Sequence, residues 1–529
     1  MSGSALRNAA RARIDSVPDL VGTIPQLQSV KRANNASRRA PGPKIPRLPG
    51  GDIREAGFDW LAPPVADRSW QFRLHSWDYF MPWLASYVNE NDDAALKFCL
   101  DGALEWWRQV DAAPQGTEGM AWYDMSVGSR APILALLILI ASTRDDIDDD
   151  QFEMLTCCAK RHQSVFAQSE IFNPRTNHGF FVSIGQTSFA TLLSFMDGMT
   201  KTGELGRERL LQMATTQFLP DGGHGEHSPF YHHAMLAVFD DALDHGHIVN
   251  ETVRLRVLDA ASVLGGMTQP NSRLVPFGDS YEVAMTSDTY FSSDPETDWI
   301  ISKGQRGVPP SDNPLVLPDT GYVFVRSPGI KTFQDFRASS YLAIQAGFHS
   351  RAHKHADDLS FVWWVGGEQV LVDPGRYMYG DNLPADSPLR VEGYYYADSY
   401  RQYVESTRAH STVEVDDTIQ RRRRAPYGSA VQAVEQTDNL IVIRCRAPQQ
   451  GYVHERTWEM GTDDSLVVTD HVASQDGKKH TLRQWWQVHG KIGLVPADNS
   501  LDLLLPSGRR VAMEQDEQLA DLQIGRGLT

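Results

Sequence analysis

Two histidines one residue apart, His353 and His355, stand in the stretch HKHADD, followed by Asp357, by Asp373 after two apolar runs, and later by His410. Imidazole nitrogen and carboxylate oxygen are donors that zinc takes, so this set could hold a metal. The spacing matches none of the short zinc motifs. Surface histidines, with Asp373 closing a turn before Pro374 and Gly375, satisfy the same letters. A second concentration of reactive types lies upstream, in Asn177-His178-Gly179 and in GGHGEHSPFYHH from Gly222 to His233. Both are polar insertions at the entries of apolar helical runs. Ser228 and Pro229 suit an N-cap and first turn, which puts Tyr231 where free amide groups can help stabilise a phenolate or an anionic ligand. On these residue types alone, a core aromatic at Tyr231 and a satisfied core histidine at His178 are the preferred reading. Glu226, Asp221 and Asp124 are available carboxylates, but no spacing selects the pair that a glycosidase needs. Neither a Gly-rich phosphate loop nor a GxSxG elbow stands out.

These residues need elements to position them. Leu359 to Val365 and Gln369 to Val372 are apolar runs around Gly366-Gly367, the pattern of a tight β-hairpin. In an extended chain His353, His355 and Asp357 would share one face. A simple register places Asp373 opposite about Ser360, so His355 meets it only if residues 356–359 bend back. From Trp60 to about Gly304 apolar residues recur at helical spacing, as in Leu96, Leu100, Leu104 and Trp107. After Pro309 strand-length alternating runs take over. The expected organisation is α+β and multidomain: a basic arm over residues 1–51, a helical domain over 52–308, and an antiparallel β domain over 309–529 with sheets packed face to face.

The formal charge of −17 disfavours nucleic acid and anionic membrane for the molecule as a whole, so any attraction for an anion must be local. Cys99, Cys157, Cys158 and Cys445 suggest neither a disulfide framework nor a CxxC metal site. The longest apolar run, Pro132 to Ala141, is too short to span a bilayer. The N-terminus shows no signal-peptide core; a cytoplasmic location is the default and a periplasmic one stays open. Residues 1–51 are read as a tail or loosely wrapped arm, and the run Arg421 to Arg424 as a solvated loop or a contact to an acidic glycan.

With both halves read, the chain resembles the heparinase II/III-like polysaccharide lyases, which include relatives acting on alginate and a dermatan-sulfate epimerase. The resemblance runs from about Trp60 to Leu505 and is carried by HKHADDLSF, LVDPGRYMY and STRAHSTVEVDD, with Asn177-His178 and SPFYH upstream in the expected order. It implies an N-terminal incomplete (α/α) toroid, a C-terminal antiparallel β-sandwich, and a site in the cleft between them. It also implies that Asn177 holds a uronate carboxylate, with His178 at the reacting carbon, Tyr231 as principal acid or base, and His353 facing the substrate. His355, Asp373 and His410 would hold a structural zinc ion. Arg130, in GSRAP, and Glu226 are weaker candidates for substrate contact.

Such residues suit β-elimination from a 4-linked uronate. Neutralising the carboxylate stabilises the enolate-like intermediate, a base takes the C5 proton, and an acid protonates the leaving O4. Tyrosine serves as the base only if its pKa falls, which a cationic histidine nearby would promote. The expected partner is an acidic polysaccharide or oligosaccharide, with homo-oligomerisation left open. A uronyl C5-epimerase and a noncatalytic acidic-glycan-binding protein are the competing readings.

Overall fold

The computed structural model describes residues 3–15, 58–61, 68–244, 246, 248, 250–286, 294–420, 428–496 and 500–514. The run Arg421 to Arg424 lies outside them, as does most of the basic arm. The chain forms two compact units: residues 1–217 with 238–254, and residues 218–237 with 255–529.

The first unit is helical. Its central helix, Asp124–Ala141, is apolar on every side from Pro132 onward and packs against His178–Leu192, Asp149–Phe166 and Arg68–Ser76. Among the described residues it is long and apolar enough to cross a membrane, yet 89% of it is buried inside the protein. The helix Asp93–Ala112 buries Leu96, Leu100, Leu104 and Trp107 on one face, and Asp92 caps it by accepting from the Ala95 amide. A reciprocal capping box between Asp148 and Gln151 starts the helix Asp149–Phe166.

Helices Asp124–Ala141 and His178–Leu192 meet at Gly128 and Gly185. A β-carbon at Gly185 would strike the Gly128 carbonyl, and one at Gly128 would strike the Phe181 carbonyl. This seam fixes how the first residues of the two helices, Asp124 and His178, approach each other. Gly185→Ala should destabilise the helical unit by about 3 kcal/mol through overpacking. A urea midpoint unchanged from the parent would show that the helices separate freely.

The N-terminal residues correct the expectation of a loose arm. Gly3–Asp15 is a helix that buries Leu6 and Ala10. Arg7 donates to the Ile147 carbonyl at 2.5 Å and pairs with Asp149 at 3.1 Å, while Arg11 reaches the Ser142 carbonyl at 2.9 Å. Arg11 thus meets the carbonyl end of the helix Asp124–Ala141, while Arg7 ties down the turn before Asp149–Phe166.

The second unit is built on antiparallel sheets. One has five strands in the order Leu315–Leu317, Tyr322–Arg326, Tyr341–Gln345, Ser360–Val365 and Glu368–Leu371. A second orders Leu466–Ser474, Tyr452–Gly461, Leu440–Pro448 and Val431–Gln436, and a third joins Gly493–Pro496, Ser500–Leu504 and Arg510–Glu514. Val323, Val325, Leu342, Ile344 and Phe361 share a core with Ile443, Trp458, Met460, Leu501 and Leu503, which makes the packing a sandwich. The hairpin turns at Gly366-Gly367 with φ of 56° and 83°, a conformation that suits glycine.

The five-stranded sheet is buried on its other face as well. Tyr341 donates to the Gly266 carbonyl at 2.8 Å, Arg326 donates to the Gly265 and Thr268 carbonyls, and Tyr322 stacks on Phe277 at 6.0 Å. For this reason residues from Leu255 onward group with the sheets, although strands begin only at Leu315.

Candidate active site

Tyr231 lies in the first turn of the helix Pro229–Asp244, and its amide donates to the Ser228 hydroxyl at 3.2 Å. Ser228 in turn meets the Ser280 hydroxyl at 2.8 Å. The helix start is thereby tied to the turn Gly278-Asp279-Ser280. That turn also receives His353, because the Asp279 amide donates to the His353 carbonyl at 3.0 Å. Gly278 has φ of 56°, and a β-carbon there would collide with the carbonyls of His353 and His227.

The Tyr231 and His353 rings stack with centroids 3.6 Å apart and planes 14° from parallel. His353 Nδ1 donates to Asp279 Oδ2 at 3.1 Å, and its Nε2 stands 3.5 Å from Glu226 Oε2. Tyr379 also donates to Asp279 Oδ2, at 2.9 Å, and its hydroxyl lies 3.4 Å from that of Tyr231. The other carboxylate oxygen, Oδ1, takes Arg401 Nη1 at 2.6 Å and His355 Nε2 at 3.0 Å. Asp279 is therefore the hub of the site. Burial alone would raise its pKa, but Arg401 and the two histidines hold it well below the usual carboxylate range.

Burial raises the pKa of Tyr231; the contact with the Tyr379 hydroxyl and the charge of Arg376 oppose this without reversing it. The condition for Tyr231 to act as a base, a lowered pKa, is not met by these surroundings, which favour the protonated phenol. Tyr379 is raised further by burial and by the neighbouring Asp279 charge.

The HxH stretch is not extended. His353 has φ of 55°, in the left-handed region, so the expected shared face for His353, His355 and Asp357 does not form. Instead both histidines reach the two oxygens of one carboxylate, and Asp357 pairs with the buried Lys354. His410 Nδ1 binds Asp373 Oδ2 at 2.8 Å and its Nε2 donates to the Val404 carbonyl at 3.0 Å. His355 and His410 have ring centroids 5.4 Å apart, and His355 Nδ1 is buried without a hydrogen-bond partner.

Among the described residues no three His, Cys, Asp or Glu side chains converge as a ready-made metal cluster. The donors nonetheless fit zinc chemically. Each histidine has one nitrogen held by an oxygen acceptor, as ligand histidines commonly do, and an orphaned nitrogen or a carboxylate partner on its other side.

In the first unit, His178 opens the helix His178–Leu192, and its Nδ1 lies 3.1 Å from Asp124 Oδ2 and 3.2 Å from the Tyr123 hydroxyl. Asn177 precedes it and is buried. Arg130 does not suit substrate contact. It is 0% exposed, stacks on Trp106 at 4.1 Å, and donates to His162 Nε2 at 2.9 Å and the Ala121 carbonyl at 2.8 Å. Glu226 is likewise buried behind His353 rather than presented at a surface.

The residues missed by sequence reasoning are Asp279, Tyr379, Arg376 and Arg401. FGDS reads as an ordinary turn, and Arg401 lies in a short helix, Ser399–Glu405, with no distinguishing pattern. Tyr379 and Arg376 stood inside LVDPGRYMY, where the motif drew attention to Asp373 alone.

A helix-rich N-terminal unit followed by packed antiparallel sheets makes this an α+β protein. The chain belongs to the heparinase II/III-like family: the model for the heparinase II/III N-terminus matches residues 50–290, and that for the heparinase II/III-like C-terminal region matches residues 309–527. Among solved structures, a mutant of the heparan sulfate lyase HepC from Pedobacter heparinus is similar with a TM-score of 0.65 and 17% identity, over 92% of this chain and 75% of that one. A heparinase III structure gives a TM-score of 0.69 at 15% identity, over 87% of this chain and 72% of that one. At these identities the likeness is one of fold. No match was found among curated proteins.

Proposed function

We propose that this protein is a polysaccharide lyase that cleaves a uronate-containing acidic glycan by β-elimination. The observation that carries the reading is the Tyr231 phenol stacked on His353, whose Nδ1 is held by Asp279. In the reaction a base removes the C5 proton, the electron pair of that bond forms the C4=C5 double bond, and the C4–O4 bond breaks with its pair leaving on O4. A protonated Tyr231 suits the last step, since an acid that keeps its proton at neutral pH can give it to the departing oxygen. The base is then a histidine; His178 takes that role, and Asn177 binds the carboxylate, on the family resemblance alone.

Ultraviolet absorbance during incubation with uronate polymers tests the reading. Rising absorbance from the unsaturated uronate end supports it. Polymer shortening without absorbance points to hydrolysis, and solvent deuterium at C5 without shortening points to epimerisation.

The same reading includes a structural zinc ion on His355, Asp373 and His410. When bound, zinc would neutralise Asp373 and fix the two rings. Elemental analysis should find about one zinc per chain, and His355→Ala should lower the melting temperature as well as activity. A chelated protein that melts unchanged would refute the assignment.

A further inference from the structure

Three arginines stand on the tyrosine rings of the stretch that runs on from the reacting pair. Aspartate and glutamate outnumber lysine and arginine by 67 to 50, and arginines close by, such as Arg401 and Arg408, are paired with carboxylates. Arg376, Arg351 and Arg390 are not. Among the described residues no carboxylate lies within ion-pair distance of any of the three. Each is placed instead on tyrosine rings. The Arg376 guanidinium sits 4.0 Å from the centroid of Tyr379 and 4.8 Å from that of Tyr281, with its Nε buried and unbonded. Arg390 and Arg351 lie 4.8 and 5.5 Å from the centroid of Tyr395.

Tyr379 continues the site, and Tyr395 is joined to it through the backbone. Tyr379, which approaches the Tyr231 hydroxyl, stacks on Tyr396 at 5.1 Å, and Tyr395 is the next residue back along the chain. Backbone bonds brace this surface: Leu383 donates to the Tyr395 carbonyl and Ala397 to that of Asp381, each at 2.8 Å, and Arg376 donates to the Ser280 carbonyl at 2.9 Å. Arg351 precedes His353 by two residues, so both ends of the series are anchored to the reacting pair.

A guanidinium lying on an aromatic face is held by the ring quadrupole and keeps its N–H edge available. That edge matches the two oxygens of a carboxylate or sulfate, and the fixed plane loses less freedom on binding than a solvated side chain would. A chain of net charge −17 has many internal carboxylates that could have paired these cations, so their availability favours an external anion.

We propose that Arg376, Arg351 and Arg390, mounted on Tyr281, Tyr379 and Tyr395, form a track that binds the carboxylate or sulfate groups of sugar units next to the one that reacts. This rests on the reading of the substrate as an acidic glycan and deepens it, because it assigns recognition to units beyond the scissile bond. Tyr231→Phe protein, which does not consume ligand, is titrated with labelled hexasaccharides of heparan sulfate and of unsulfated alginate at several salt concentrations. The combined Arg351→Gln and Arg390→Gln substitutions should weaken binding about tenfold and flatten its salt dependence. Melting should be unaltered, since Arg351 is exposed and Arg390 half-buried. Arg390→Lys, which keeps the charge and loses the planar fork, should fall in between.

Tighter binding of the sulfated ligand with loss on substitution assigns the track to sulfate, and equal binding of both ligands with the same loss assigns it to carboxylate. Unchanged affinity and salt slope in the double variant overturn the proposal, as does failure of the parent to bind either hexasaccharide. A parent that binds, loses affinity on substitution, and yet gives no ultraviolet product would keep the track and remove the elimination reading.

Discussion

Tyr231→Phe should retain binding of the uronate polymer and lose turnover by roughly a thousandfold, the size expected for removing a positioned proton donor. The substitution deletes one hydroxyl and leaves the ring that stacks on His353. The amide bond to Ser228 is a backbone contact and survives. Only the 3.4 Å approach to the Tyr379 hydroxyl disappears, and Tyr379 keeps its stronger bond to Asp279 at 2.9 Å. Stability should therefore hardly change, and the loss should appear in kcat with KM little affected. Parallel titration and absorbance measurements on the variant check this. Near-parental turnover would remove Tyr231 from the chemistry.

Asp279→Asn should cost both stability and activity. The carboxylate is buried among Arg401, His355, His353 and Tyr379, so neutralising it leaves a buried guanidinium short of one counter-charge. Breaking a buried ion pair on one side typically costs about 3–5 kcal/mol. Glu405, which binds Arg401 Nη2 at 2.7 Å, offsets part of that and should keep the protein folded. An amide also presents N–H where the carboxylate accepted, which forces at least one of its four partners to turn away. If that partner is His353 or Tyr379, turnover falls by about a hundredfold or more. Thermal melting and product absorbance measured together are decisive. Loss of activity at parental stability would make the aspartate a purely chemical participant, whereas parental values of both would mean that the hub is dispensable.

The fold was readable because its signals are local. Helical spacing in Leu96, Leu100, Leu104 and Trp107, and the Gly366-Gly367 hairpin, are set by residues near one another in the chain. The strand Tyr452–Gly461 escaped for a physical reason. Its inward row is Tyr452, His454, Arg456, Trp458 and Met460, and two of those five are polar or charged. They are tolerated inside because Asp470 on the neighbouring strand binds His454 and Arg456, each at 2.6 Å. A pairing between strands cannot be seen in either strand alone.

The site was legible to the same extent. Tyr231 could be placed because an N-cap serine and a first-turn proline precede it, and the motif pointed to His353 and His355. Asp279 could not be placed, since its role arises from partners 74, 76, 100 and 122 residues away in sequence. The docked N-terminal helix was missed because its arginines, read as a solvated basic tail, are spent on carbonyls more than a hundred residues away in sequence.

One carboxylate serves two sides of this site. Asp279 gives Oδ1 to Arg401 and His355 and Oδ2 to Tyr379 and His353. The group is a rigid planar fork, so it acts as a balance beam: a tilt that favours one arm lifts the other. Repacking around Arg401 or His355 must then register at the Tyr231–His353 stack, although Arg401 and His355 make no contact of their own with it in this network. Substitutions on the two arms should consequently combine non-additively, and changes in the interior of the β-rich unit cannot accumulate independently of the residues that do the chemistry.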